Sequence, residues 1–128
     1  MFFSNRKKKI LVIDDDASLR RQLRFHLERR EGVDVIEAEN GEMGLIQANE
    51  HTPDLIILDW MMPGIQGDEV LNRLKGDKKL QNTPVIMLTG KNKIGEIDIA
   101  FERGADLYLT KPFMLQQLGV KVRELLGT

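Results

Sequence analysis

The chain contains no cysteine, and that absence alone removes disulfides, zinc–thiolate sites and thiol catalysis. It is compatible with a reducing compartment. No apolar stretch approaches the roughly 20 residues that span a bilayer, and Met1-Phe2-Phe3-Ser4 lacks the apolar core of a signal peptide. An excess of one charge is missing too. Lys and Arg number 19 against 20 Asp and Glu, so the net charge of −1 creates no field toward nucleic acid or an anionic membrane. The one basic block, Arg6-Lys7-Lys8-Lys9, has no aromatics within it and no recognition helix, and reads as a solvated lead-in to a strand. The expectation is a soluble, cytoplasmic protein with neither a membrane nor a nucleic-acid partner of its own.

What is present suits a globular domain. The 128 residues are 41% hydrophobic and 30% charged, enough to bury a core without staples. Nothing repeats and no linker divides the chain, so one domain over 1–128 is expected, with 1–8 a basic lead-in and the core at about 9–126. Strand-like runs alternate with helix-like ones. Lys9–Ile13, Val33–Ala38, Leu55–Leu58, Val85–Leu88 and Leu107–Thr110 read as strands. Between them, Leu19, Leu23 and Leu27 mark a helical stripe ended by Gly32. Asn40 caps a helix through Glu50, and Val70, Leu71 and Leu74 mark another after the loop of Pro63, Gly64 and Gly67. Ile94–Arg103 and Leu115–Leu126 complete the helices. In the first of these, Ile94, Ile97 and Phe101 form a core stripe. Ile99 falls off it, either partly covered or an exposed contact for a partner. Five β-α units in series predict an α/β fold with a parallel sheet and helices on both faces.

Two strands end on acid. Ile10-Leu11-Val12-Ile13 runs into Asp14, Asp15 and Asp16, and Leu55-Ile56-Ile57-Leu58 runs into Asp59. Carboxylates at the tip of a buried strand cost desolvation and mutual repulsion, so they need a reason. Ligands of open α/β sheets bind beyond the carboxyl ends of the strands. If the first and third strands are neighbours, Asp14, Asp15 and Asp59 converge there, with Thr89 and Lys111 arriving from the fourth and fifth. Oxygen-only ligands favour a hard cation, Mg²⁺ by cellular default. Carboxylate, cation, ammonium and hydroxyl together suit phosphoryl transfer. Asp59 is the better nucleophile because the loop after it is Gly-rich, while Asp14 and Asp15 can hold the ion. Asp16 reads as the cap of the first helix.

The segments Ile10–Asp16, Pro53–Gly64, Leu88-Thr89-Gly90 and Gly104–Phe113 resemble the receiver domain of bacterial two-component response regulators, in the right order and over nearly the whole chain. The resemblance implies a flavodoxin-like five-stranded sheet of order 2-1-3-4-5. It implies that Asp59 takes a phosphoryl group from a sensor histidine kinase or a histidine phosphotransfer protein. Asp15 would coordinate Mg²⁺ directly, Asp14 largely through water, and Asp59 and the Met61 backbone carbonyl would complete the protein ligands. Lys111 would pair with Asp59 at rest, and the Lys111–Pro112 bond would be cis, aiming the ammonium at the site. Thr89 would swing to the phosphoryl oxygen and Tyr108 would turn inward, so that the face around Tyr108 controls a partner or an output domain. Phosphorylation-dependent self-association through that face is a further expectation, with ionic contacts from Asp106 and Arg123.

The same resemblance makes the chain a signalling phosphoacceptor rather than an enzyme, catalysing only its own phosphorylation and a slow hydrolysis. Met61 and Lys91, two residues past Asp59 and Thr89, would hinder an attacking water. Trp60 covers a core edge beside Asp59 and would report on the site. His26 and His51 read as surface residues, and the remaining methionines as core filler. Two alternatives compete. A receiver-like module that is never phosphorylated would need a lost acid, Thr or Lys, and none is lost. A haloacid-dehalogenase-type phosphatase would use Asp14 as its nucleophile and normally needs a longer chain.

Overall fold

Five short runs rich in Ile, Leu and Val form the strands β1 (Lys9–Ile13), β2 (Asp34–Ala38), β3 (Leu55–Asp59), β4 (Val85–Thr89) and β5 (Leu107–Thr110). All pairings are parallel, in the order β2-β1-β3-β4-β5 that the resemblance implied. The computed structural model describes residues 6–90, 95, 98 and 101–128. Helices α1 (Ala17–Glu31), α2 (Gly41–His51), α3 (Gly67–Lys75) and α4 (Leu115–Leu126) cover the sheet. Among the described residues no helix is long and apolar enough to cross a membrane.

Successive strand residues face opposite sides of a sheet. Leu11, Ile13, Ile56 and Leu58 therefore join Ala48, Val70, Leu71 and Leu74 in one core layer. Ile10, Val12, Leu55 and Ile57 join Leu23, Leu27, Leu118 and Val122 in the other. Because both faces are covered, the central strands are apolar without alternation. Each enclosed Leu or Ile contributes roughly 1.5–3 kcal/mol relative to exposure. That burial gives the carboxyl edge a rigid base.

The helix ends follow local chemistry. The Asp16 carboxylate accepts the Leu19 N–H at 3.1 Å, so the third acid of the run is a cap, as expected. Gly32 closes α1 at φ 65°, a left-handed conformation that favours glycine. Asn40 caps α2 through the Met43 N–H at 2.8 Å.

Two expectations need correction. Phe101 is 46% exposed, not part of a core stripe, and its ring meets Tyr108 edge-on at 5.5 Å. It lies beside β5, an edge strand of four residues that offers less surface to cover than the central strands do. Gly95, Asp98, Phe101 and Glu102 are helical, as expected of that segment; Lys91, Ile94, Ile97 and Ile99 lie outside the described residues. The methionines other than Met61 are not mainly filler: Met62 and Met87 are buried, but Met43 and Met114 are exposed on α2 and at a helix cap. Hydrophobicity alone cannot tell a core methionine from one on a helix's outer face. Asp106 and Arg123, expected to offer ionic contacts to a second copy, also have partners within the fold and stay partly exposed. Asp106 accepts the Val85 N–H at 2.8 Å, and Arg123 donates to Glu31 at 2.6 Å.

The start of α3 is pinned against the end of β3. The Gly67 N–H donates to the Trp60 carbonyl at 2.8 Å. A Cβ on Gly67 would fall against the Asp59 carbonyl oxygen and lie 2.8 Å from the Trp60 Cα. Main chain cannot step aside as a flexible side chain can. Gly67→Ala is expected to cost about 1–3 kcal/mol in urea unfolding, the usual scale of overpacking.

Candidate functional site at the carboxyl edge

Register delivers the acids to one place. β1 and β3 are neighbours with Ile13 opposite Leu58, so the residues that follow, Asp14 and Asp59, emerge side by side. Strand order reverses at β1, which pairs with β2 on one side and β3 on the other. Thr89 ends β4, and Lys111 follows β5 directly. Residues far apart in sequence thereby share one edge.

Asp14, Asp15 and Asp59 each offer an oxygen, and these oxygens lie within 4.8 Å of one another. Asp14 is fully buried, Asp59 nearly so, and Asp15 exposed. Lys111 Nζ lies 2.9 Å from Asp14 Oδ2 and 3.3 Å from Asp59 Oδ1. The ammonium thus meets Asp59 as the resemblance implied, but its shorter contact is to Asp14. Asp14 Oδ1 accepts the Asp16 N–H at 2.9 Å. The Lys111 N–H donates to the Thr89 carbonyl at 2.8 Å, and the Lys111–Pro112 bond is cis.

The Thr89 hydroxyl is enclosed and has no hydrogen-bond partner among the described residues. Buried hydroxyls are normally satisfied, so this one marks a place that lacks an acceptor. Tyr108 stands opposite Met87, and Thr89 is two residues further along β4, so Thr89 and Tyr108 share one sheet face. Tyr108 packs on the core layer below that face. Trp60 is buried beside Asp59, and Met61 is 58% exposed in the following loop. His26 and His51 are partly exposed and, among the described residues, belong to no acidic cluster.

Electrostatics mark the cluster as short of positive charge. Burial raises the Asp59 carboxyl from 3.8 to about 6, helped by the nearby Asp14 charge and, more weakly, Asp15, against the pull of Lys111. Burial would lower the Lys111 ammonium, but the Asp14 hydrogen bond and the Asp59 and Asp14 charges raise it overall. Among the described residues, one ammonium, in contact with Asp14 and Asp59, serves a cluster of three carboxylates. The donor set is all oxygen, so it fits a hard divalent cation.

Sequence reasoning missed the support behind the acids. Arg20 Nη1 donates to the Asp14 backbone carbonyl at 2.7 Å, and its Nε donates to Glu37 at 3.0 Å. The available signal was an arginine one helical turn past the Asp16 cap, and an acid, Glu37, within the second strand. Glu42 was missed as well; it accepts the Ile65 N–H at 3.3 Å and ties α2 to the loop after β3.

With this geometry in hand, comparison with known proteins is informative. The response regulator receiver domain family matches residues 10–123. The transcriptional regulatory protein ResD of Bacillus subtilis is 44% identical over 118 residues, covering 92% of this chain and 48% of that protein. The chain spans about half the length of the curated relatives it matches. The receiver domain of the Francisella response regulator 1452 superposes with a TM-score of 0.85 at 34% identity, covering 94% of this chain and 98% of the other. The chemotaxis response regulator CheY4 of Vibrio cholerae gives 0.87 at 28% identity, covering 93% and 98%.

The raised Asp59 carboxyl has a definite consequence for stability. Between its unfolded value near 3.8 and its folded value of about 6, the folded state binds the proton more tightly. Metal-free stability should therefore fall as pH rises through that window and level off above it. Asp59→Asn should flatten the slope and stabilise the metal-free protein at pH 7, by roughly 1–3 kcal/mol in urea unfolding followed across pH.

Proposed function

The chain belongs to the response regulator receiver domain family of two-component systems, and from that premise we propose that Asp59 accepts a phosphoryl group from the phosphohistidine of a sensor kinase or a histidine phosphotransfer protein. One observation carries the reading. Asp59 is a nearly enclosed carboxylate grouped with Asp14 and Asp15, contacted by Lys111, at an edge that also bears the unpartnered Thr89 hydroxyl. A carboxylate oxygen of Asp59 attacks phosphorus, the bond to the histidine nitrogen breaks, and an acyl phosphate remains. Asp14, Asp15, Asp59 and the Met61 backbone carbonyl would hold Mg²⁺. When bound, the ion supplies positive charge for the phosphoryl oxygens.

The protein's own groups have separate tasks. Lys111 reaches Asp59 already and can follow charge onto an added phosphoryl oxygen. Thr89 donates its free hydroxyl to another such oxygen, gaining the acceptor it lacks. Asp14 is a poor nucleophile, because it is fully buried and both its oxygens are engaged. That speaks against the phosphatase alternative. The exposed Met61 side chain stands two residues past Asp59, where it can obstruct water and slow hydrolysis. The domain is then a signalling phosphoacceptor, not a turnover enzyme.

Movement of Thr89 toward phosphate would empty space on the face it shares with Tyr108, and Tyr108 would turn inward. Phe101, Tyr108, Thr110, Pro112, Val120 and Lys121 line a groove on that side of the protein. Its shape would change with the Tyr108 ring, and with it the fit of an output domain, another protein or a second copy. A phosphoryl group redirects such an equilibrium only through contacts that differ between the two packings. A cytoplasmic setting belongs to the same proposal.

Acetyl phosphate with Mg²⁺ should add one phosphoryl group by intact mass, and Asp59→Asn should reduce incorporation to background. Thr89→Ala should still take phosphate but blunt the Trp60 fluorescence response to beryllofluoride. Undiminished labelling of Asp59→Asn would overturn the assignment of the phosphoacceptor.

A further inference from the structure

We propose that Arg20 is a positioning residue that aims Asp15 at the bound cation by holding the Asp14 main chain; the inference rests on the reading of the acidic cluster as a cation site. Arg20 lies on α1, yet its side chain is only 14% exposed. Nη1 donates to the Asp14 carbonyl at 2.7 Å, and the Asp14 N–H donates to the Ala38 carbonyl at 3.1 Å. Both main-chain polar groups of Asp14 are thus anchored, one to a helix and the other to β2.

The consequence falls on the next residue. A peptide unit is planar, so fixing the Asp14 carbonyl oxygen also fixes the direction in which the Asp15 Cα leaves. Asp15 is exposed, and its carboxylate has no hydrogen-bond partner among the described residues. Its place in the cluster is therefore set by the main chain rather than by contacts of its own. Arg20 supplies the anchor.

Arg20 is itself held in place. Its Nε donates to Glu37 Oε1 at 3.0 Å, while Arg24 reaches Glu37 Oε2 at 3.2 Å. Glu37 neutralises the guanidinium, so Arg20 acts as an orienting donor more than as a counter-ion to the acids. This distinction gives the test a diagnostic sign. If only charge mattered, removing a cation near the site would tighten Mg²⁺ binding. If orientation matters, removing it weakens binding, as loss of outer-shell support does at metal sites.

Calorimetric titration of the unphosphorylated protein with Mg²⁺ separates the cases. Arg20→Met should weaken binding about tenfold, and Arg20→Lys should lose part of that, since one ammonium does not reproduce the fork that holds the carbonyl and Glu37 together. Arg24→Gln, which contacts Glu37 but not Asp14, should change affinity by no more than about twofold, as exposed charges generally do. Metal-free urea unfolding reads the structural contribution separately. A lowered unfolding midpoint with unchanged Mg²⁺ affinity would overturn the positioning role, and so would tighter binding by Arg20→Met. If Arg20→Met does not fold, Arg20→Lys decides alone: weaker binding than wild type supports the role, and equal binding ends it. Failure of the wild-type protein to bind Mg²⁺ would instead sink the cation-site reading beneath it.

Discussion

Lys111 Nζ stands between Asp14 and Asp59, and the carboxyl edge of the sheet depends on that shared cation. Two buried carboxylates so close together repel each other and forfeit hydration. The Lys111 ammonium offsets part of that cost, and burial keeps the offset strong by limiting solvent screening. The compensation is incomplete. Asp59 remains raised to about 6, and the cluster retains an excess of acid. An arrangement left short of positive charge favours any ligand that brings more.

Everything around the cluster keeps this unfavourable grouping from relaxing. The buried central strands fix where β1 and β3 end. The Asp16 cap and Gly32 bound α1, the helix that carries Arg20 behind Asp14. Gly67 brings α3 against the main chain of Asp59 and Trp60, where a side chain has no room. Repulsion at the edge is sustained by packing well below it.

Much of this architecture was legible from residue order. Strands with both faces covered need continuous apolar runs, and Lys9–Ile13, Leu55–Asp59 and Val85–Thr89 show them. Caps such as Asp16 and Asn40 act within a single turn, so short-range reasoning found them. Phe101 and the exposed methionines were harder. Helical spacing tells which residues share a face, but not how much surface stands opposite it, and an edge strand offers little. The contacts that Asp106 and Arg123 make within the fold were not legible either. Their partners, Val85 and Glu31, lie far away in sequence.

From the sequence by itself come the α/β class, the acids at strand ends and the oxygen-only chemistry of those aspartates. These are local properties, carried by composition, spacing and residue type. Only the tertiary structure decided that Lys111 bonds Asp14 more closely than Asp59, that the Thr89 hydroxyl lacks a partner among the described residues, and that Arg20 holds the Asp14 carbonyl. Such facts depend on register and on the convergence of distant segments. Hydrogen bonding is decided by tenths of an ångström, and no pattern along the chain encodes distances that fine.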